Sequence, residues 1–139
     1  VKEYVAKAQE LVAHCDTKGL EQLVQKYEKR YEGSAKYRAL FRGERAFYRH
    51  RYAEALWHTL KARGIPLFHF FCFRAAAHLC FEEGEREKAV RFAKRALLQI
   101  PDDKSCRELL DEISSSKETF PSVSVSEEEL GELNELFKL

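Results

Sequence analysis

Ala55, Ala62 and Pro66 return as Ala89, Ala96 and Pro101, the alanines after 34 residues and the prolines after 35. At the same 34-residue shift Gly43 falls on Ala77, Tyr37 on Phe71, Phe47 on Phe81 and Ala46 on Cys80. A fixed period near this length is what stacked helical hairpins leave in a sequence. One hairpin cannot bury its apolar face alone and must stack on another. The recurrence therefore confines the chain to a small helical scaffold, the kind of object that holds another chain. It does not name that chain.

Apolar spacing supplies the helices. Residues 3–14 carry Tyr4, Ala8, Leu11 and Val12 on one face, and residues 20–31 carry Leu20, Leu23, Val24, Tyr27 and Tyr31, with a turn at 16–19 between them. Helices follow over 35–50, 52–63, 67–82 and 86–99, punctuated by Gly33-Ser34, Gly64-Ile65-Pro66, Gly84 and Ile100-Pro101. A last one spans about 103–115, where Ser105 and Glu108 offer a capping box. The expected body is thus residues 1–115: a degenerate helix pair at 1–34, repeats at 36–67 and 70–101, and a capping helix at 103–115. A serine-rich linker occupies 116–125. Residues 126–139 form a short acidic amphipathic segment with Leu130, Leu133, Leu136 and Phe137 on one side. An isolated helix of that length is marginal in water. Two readings stay open: the segment docks as a helix in a groove, its own or that of a neighbouring copy, or it is a disordered tail that binds something else.

The units 36–67 and 70–101 resemble tetratricopeptide repeats. In the second, Phe73, Ala76, Ala77, Cys80, Gly84, Ala89, Ala93, Ala96 and Pro101 match that family's aromatic, small, turn and stop positions; in the first, Ala39, Gly43, Ala46, Ala55 and Ala62 match, while Arg42 and Thr59 depart. Upstream, a 34-residue shift of Ala55 and Ala62 lands on Glu21 and Glu28, and the pattern is lost. The resemblance implies an all-α fold of antiparallel helix pairs stacked as a short right-handed solenoid. It also implies a concave groove lined by the first helix of each pair. Here that means Tyr37, Leu40, Glu44, Tyr48, Phe71, Arg74 and His78. The family's carboxylate-clamping form uses Lys, Arg and Asn on those helices. No Asn lies there in this chain, so a mixed aromatic and charged groove for an extended or helical peptide is the expectation. The implied function is a protein–protein interaction module, an adaptor or co-chaperone-type scaffold.

A second feature competes. Arg38, Arg42, Arg45 and Arg49 are spaced 4, 3 and 4 apart and share one helical stripe. They could grip phosphates beside Tyr37, Phe41 and Tyr48, which makes a nucleic-acid-binding domain the alternative. They could equally pair with Glu21, Glu28 and Glu32 of the preceding helix. Charge is uneven enough to matter: residues 36–99 hold 14 Lys/Arg against 6 Asp/Glu, and residues 116–139 hold 2 against 6.

Other chemistries find little support. The four cysteines form no CxxC pair, and a composition of 34% charged and 45% hydrophobic residues is that of an ordinary globular chain. Buried thiols in a reducing, cytoplasmic setting are the expectation. The His14–Cys15, His69–Cys72 and His78–Cys80 neighbours lack the convergent spacing of a zinc site. No Gly-rich phosphate loop or nucleophile pattern is present. The reading is of a chain that is not an enzyme and carries no cofactor or metal. No run reaches the roughly 18 apolar residues of a membrane span. The start, VKEYVAKAQE, is amphipathic rather than signal-like and lacks Met, the pattern of an excised or processed piece.

Overall fold

The computed structural model describes residues 1–114. The expected linker at 116–125 and the segment at 126–139, with Leu130, Leu133, Leu136 and Phe137, lie outside the described residues. Within them the chain is all-α: α1 (Lys2–Ala13), α2 (Thr17–Arg30), α3 (Ala35–Tyr48), α4 (Tyr52–Leu60), α5 (Phe68–Glu82), α6 (Arg86–Gln99) and α7 (Lys104–Ser114). Each helix packs on its neighbours in chain order, giving helix pairs α1–α2, α3–α4 and α5–α6 followed by a single α7.

The three pairs turn in the same way. Each connection is three residues long and closes with two characteristic hydrogen bonds. In α5–α6 the Glu85 amide donates to the Cys80 carbonyl (2.8 Å) and the Gly84 amide to Phe81 (3.1 Å). In α3–α4 the corresponding donors are Arg51 to Ala46 (2.9 Å) and His50 to Phe47 (3.0 Å). In α1–α2 they are Asp16 to Leu11 (2.9 Å) and Cys15 to Val12 (3.0 Å). This is the Schellman helix stop, which needs a left-handed residue just past the helix. Gly84 supplies it at φ 81°, but His50 and Cys15 also adopt it at 61° and 53°. Side chains there cost about 1–2 kcal/mol relative to glycine.

These turns show that residues 1–33 form a hairpin equivalent to the other two. The turn positions Cys15, His50 and Gly84 are 35 and 34 residues apart. Moving Ala55 and Ala62 back by 35 gives Leu20 and Tyr27, both buried, whereas the 34-residue shift gave exposed Glu21 and half-buried Glu28. One residue on a helix is 100° of rotation, so that single slip moved the comparison from the packed face to the outside.

Close contacts sit where the recurrence places them. Ala55 and Ala89 are 1% and 0% exposed, and Ala8, Gly43 and Ala77 occupy equivalent buried places on α1, α3 and α5. Gly43 is the tightest. A Cβ there would lie 2.5 Å from Thr59 Oγ1 and 3.0 Å from the Ala55 carbonyl oxygen. Thr59, a departure from the repeat pattern, is buried against that gap, and its hydroxyl donates to the same Ala55 oxygen (2.6 Å). Two other expectations change. The turn placed at 16–19 is helix from Thr17 onward, because Asp16 caps α2 by accepting from the Gly19 amide (2.8 Å). At α7 the cap is Asp103 rather than Ser105: its carboxylate accepts from the Cys106 amide (3.0 Å) and the Ser105 hydroxyl (2.8 Å).

Gly43→Ala should lower stability by about 1–3 kcal/mol through overpacking, although alanine is the better helix former. Adding Thr59→Ala should recover part of the loss. Thermal melts of the two variants check this, and an unchanged midpoint for Gly43→Ala would remove the close-contact argument.

Candidate functional site

The first and last described helices meet. The Gln9 side-chain amide of α1 donates to Asp103, and its oxygen accepts from the Lys104 amide (3.2 Å). In a simple solenoid each repeat touches only its neighbours. Here α7 also packs on α1 and α5. That contact covers the face the resemblance would leave open.

The expected concave residues divide accordingly. Leu40, Glu44, Phe71 and Arg74 are 0%, 1%, 1% and 3% exposed, so the expectation that Phe71, Arg74 and Glu44 face an open surface is overturned. The reason is a buried charge cluster. Arg74 of α5 pairs with Glu44 of α3, and the Tyr4 hydroxyl of α1 donates to the other Glu44 oxygen (2.8 Å). Arg74 also donates to the Tyr48 hydroxyl (3.4 Å), and its guanidinium lies 4.0 Å from the Phe47 ring centroid. Burial works against the Arg74 charge. The field of Glu44, reinforced by Tyr48 and Asp103, more than offsets it and holds the group above its ordinary value. Burial and then Glu44 raise the Tyr4 phenol, which therefore stays a donor. Tyr37 is half-buried and stacks on Tyr31 with centroids 4.7 Å apart.

The arginine stripe is largely engaged. Arg45 pairs with Glu28 and Arg49 with Glu21 (3.3 Å), while Arg38 donates to the Glu32 carbonyl (3.1 Å). Arg42, Arg45, Arg49 and Arg51 do line a cavity of about 430 Å³, but Glu28 and Glu54 line it too. Ion pairing to α2, one of the two readings of the stripe, is what the geometry shows for Arg45 and Arg49.

An open groove of about 660 Å³ lies elsewhere, along the edge where the three turns stack. Val12, Phe47 and Phe81, equivalent positions one turn before each helix stop, form its apolar base with Leu20, Tyr52 and Leu109. Of the expected groove residues, Tyr48 and His78 belong to it. His78 stands edge-on to Phe47 and close to Tyr52, with centroids 5.0 Å away in both cases. Its Nδ1 donates to the Arg74 carbonyl (3.0 Å), and burial lowers its pKa, which favours the neutral ring. Of the three non-glycine left-handed residues, Leu67 lies outside the groove, while Cys15 and His50 line it. Opposite them α7 contributes Lys104, Ser105, Glu108, Leu109 and Glu112. Sequence reasoning missed most of these positions. Their signal was the 35- and 34-residue spacing of Val12, Phe47 and Phe81.

Burial raises the thiols of Cys72, Cys106 and Cys80, the last to about 11, so these three stay protonated at neutral pH. Among the described residues no three His, Cys, Asp or Glu side chains group to hold a metal ion, and no helix is long and apolar enough to cross a membrane. No family model, no curated protein and no solved structure matches the chain.

Two outcomes follow from the buried charges. Glu44→Leu leaves Arg74 charged in the core and should cost about 3–5 kcal/mol, whereas the double change Glu44→Leu with Arg74→Met should cost clearly less. Urea titrations compare the two. Asp103 is buried, which raises its pKa, but Arg74 and the hydrogen bonds from Gln9, Cys106 and Ser105 outweigh this and hold it below the usual carboxylate range. A depressed folded pKa stabilises above the unfolded value near 3.9 and is lost as pH falls through the folded value. Asp103→Asn keeps the cap but removes the charge. It should flatten the loss of stability below about pH 4 measured by denaturant melts.

Proposed function

We propose that this chain is a protein–protein interaction module of adaptor or scaffold type, docking a helical or extended segment of a partner in the groove along its stacked turns. The observation that carries this reading is the repetition of the groove itself. Three equivalent apolar residues line it at helix ends, Val12 and Phe81 half-buried and Phe47 buried beneath them. Isolated apolar side chains at a surface are ordinary, but a contiguous concave patch with aromatic lining is the usual form of a docking site. The backbone adds support. Cys15 and His50 keep side chains where glycine would sit with less strain, and both line the groove. Strain that persists at a surface groove points to a use for the side chains.

The alternative of nucleic-acid binding through Arg38, Arg42, Arg45 and Arg49 is less well supported, since two of those arginines are committed to carboxylates of α2. A cytoplasmic setting and a co-chaperone-type role stay within the proposal as the finer reading of an interaction module.

The test uses the full chain and a fluorescent amphipathic helical peptide followed by anisotropy. Binding should be saturable. Val12→Ala with Phe81→Ala should weaken it at least about tenfold, roughly the effect of losing a pair of apolar anchors. Trp57→Ala, at a 58% exposed position on α4 outside the groove, should leave binding unchanged. Equal binding by all three proteins, with helical content intact, would place the site elsewhere.

A further inference from the structure

The groove is apolar at its base and acidic at its rim, in a body that is otherwise basic. Its ionised lining side chains are Glu82 of α5 and Glu108 and Glu112 of α7, against Lys104 alone among lysines and arginines. Lys104 and Glu108 pair with each other (3.5 Å), so neither counts alone, and the lining keeps an excess of two carboxylates. Burial lowers the pKa of His78. His50 Nδ1 meets the Tyr52 hydroxyl at 2.7 Å. The field is felt inside the groove. The Tyr52 phenol is raised first by burial and then by Glu82 and Glu112. Residues 36–99, by contrast, carry an excess of eight positive charges. A ligand drawn to the body as a whole would be anionic, while one fitted to this groove must be cationic.

We propose that the groove takes a partner segment whose apolar face is flanked by lysine or arginine, a basic amphipathic helix. This rests on the reading of the groove as a docking site and adds the chemistry of its occupant. Apolar side chains seat on Val12, Phe47, Tyr52 and Phe81. Cationic side chains at the edge of that face meet the acidic wall formed by the end of α5 and by α7, with the exposed Glu82 carboxylate as the nearest partner. Such rim charges set the approach and exclude wrong partners more than they add affinity. The chain's own segment 126–139 is the obvious competitor, since its sequence spaces Leu130, Leu133, Leu136 and Phe137 as an amphipathic helix would and starts 12 positions after Ser114. Its Glu127, Glu128, Glu129, Glu132 and Glu135 would face like charges here. The same complementarity that selects a basic segment rejects that one.

Two synthetic helical peptides with the same Leu/Phe face, one with lysines and one with glutamates on its flanks, test this against the full 139-residue chain. Affinity is read by anisotropy. Site is read by alkylation of Cys15, an exposed thiol in the groove, while Cys72 and Cys106 are buried. The lysine peptide should bind at least about tenfold more tightly at low salt, protect Cys15, and lose its advantage as salt screens the rim. Glu82→Lys with Glu108→Lys, both at exposed positions, should reverse the order of the two peptides. If both peptides protect Cys15 with equal affinity, the docking groove stands and the basic partner is overturned. If neither protects it, the docking reading falls and the proposal with it. A thiol already protected in the free chain, and opened by deleting 126–139, would place the chain's own acidic segment in the groove and overturn the proposal.

Discussion

A guanidinium in the core has to be answered from several directions, and this fold is arranged around answering the one on Arg74. Taking a charge out of water costs several kcal/mol unless partners surround it. Glu44 from α3 supplies the opposite charge, Tyr4 from α1 secures that carboxylate, and Tyr48 accepts from the guanidinium. The rings of Phe47 and Phe70 lie 4.0 and 5.1 Å from it. Asp103 at the head of α7 adds its field and is tied back to α1 through Gln9. Four helices that a chain of hairpins would otherwise keep apart are thereby drawn to one point. The cluster fixes which helix ends meet, in the way an apolar core of interchangeable residues does not.

The closure has a cost in surface. Once α7 packs on α1 and α5, the first-helix face is no longer open, and Leu40 and Phe71 become core. The open groove that remains lies at the edge where the turns line up. Because the turns share one backbone geometry, they repeat their side chains along that edge as regularly as the helices repeat theirs. A groove arises there from the periodicity itself, with no dedicated loop or insertion.

How much of this was legible depended on which residues carried the periodicity. Ala55, Ala62, Ala89 and Ala96 announced two hairpins, because small residues at helix contacts have no substitute when backbones approach closely. The helices followed with boundaries shifted by a few residues. The first hairpin was visible as a helix pair but not as a repeat. Its turn uses Cys15 in place of glycine, and its small positions are filled by Leu20 and Tyr27, so neither residue type nor a strict 34-residue shift marks it. The burial of the expected concave face was hidden for a different reason. Periodicity says which face of a helix is apolar, but not which distant helix will cover a mixed one. Arg74 and Glu44 read as surface residues until Tyr4, 40 positions before Glu44, closes over them. No local pattern contains that contact.

The two charge fields of the molecule then acquire separate roles. The arginines on α3 face α2, and Arg45 and Arg49 spend their charge on Glu28 and Glu21. Their net effect on the surroundings is small, since an exposed ion pair is a short-range dipole that salt screens readily. The carboxylates of the groove stand instead along one wall, on α7 and the end of α5, over an apolar base. A charge at the margin of an apolar surface loses less of its field to water than one on an open helix face, because part of its surroundings is low-dielectric protein. On the proposed reading the weaker-looking acidic rim would be the better discriminator of partners, while Arg45 and Arg49 of the conspicuous arginine stripe brace the first two hairpins.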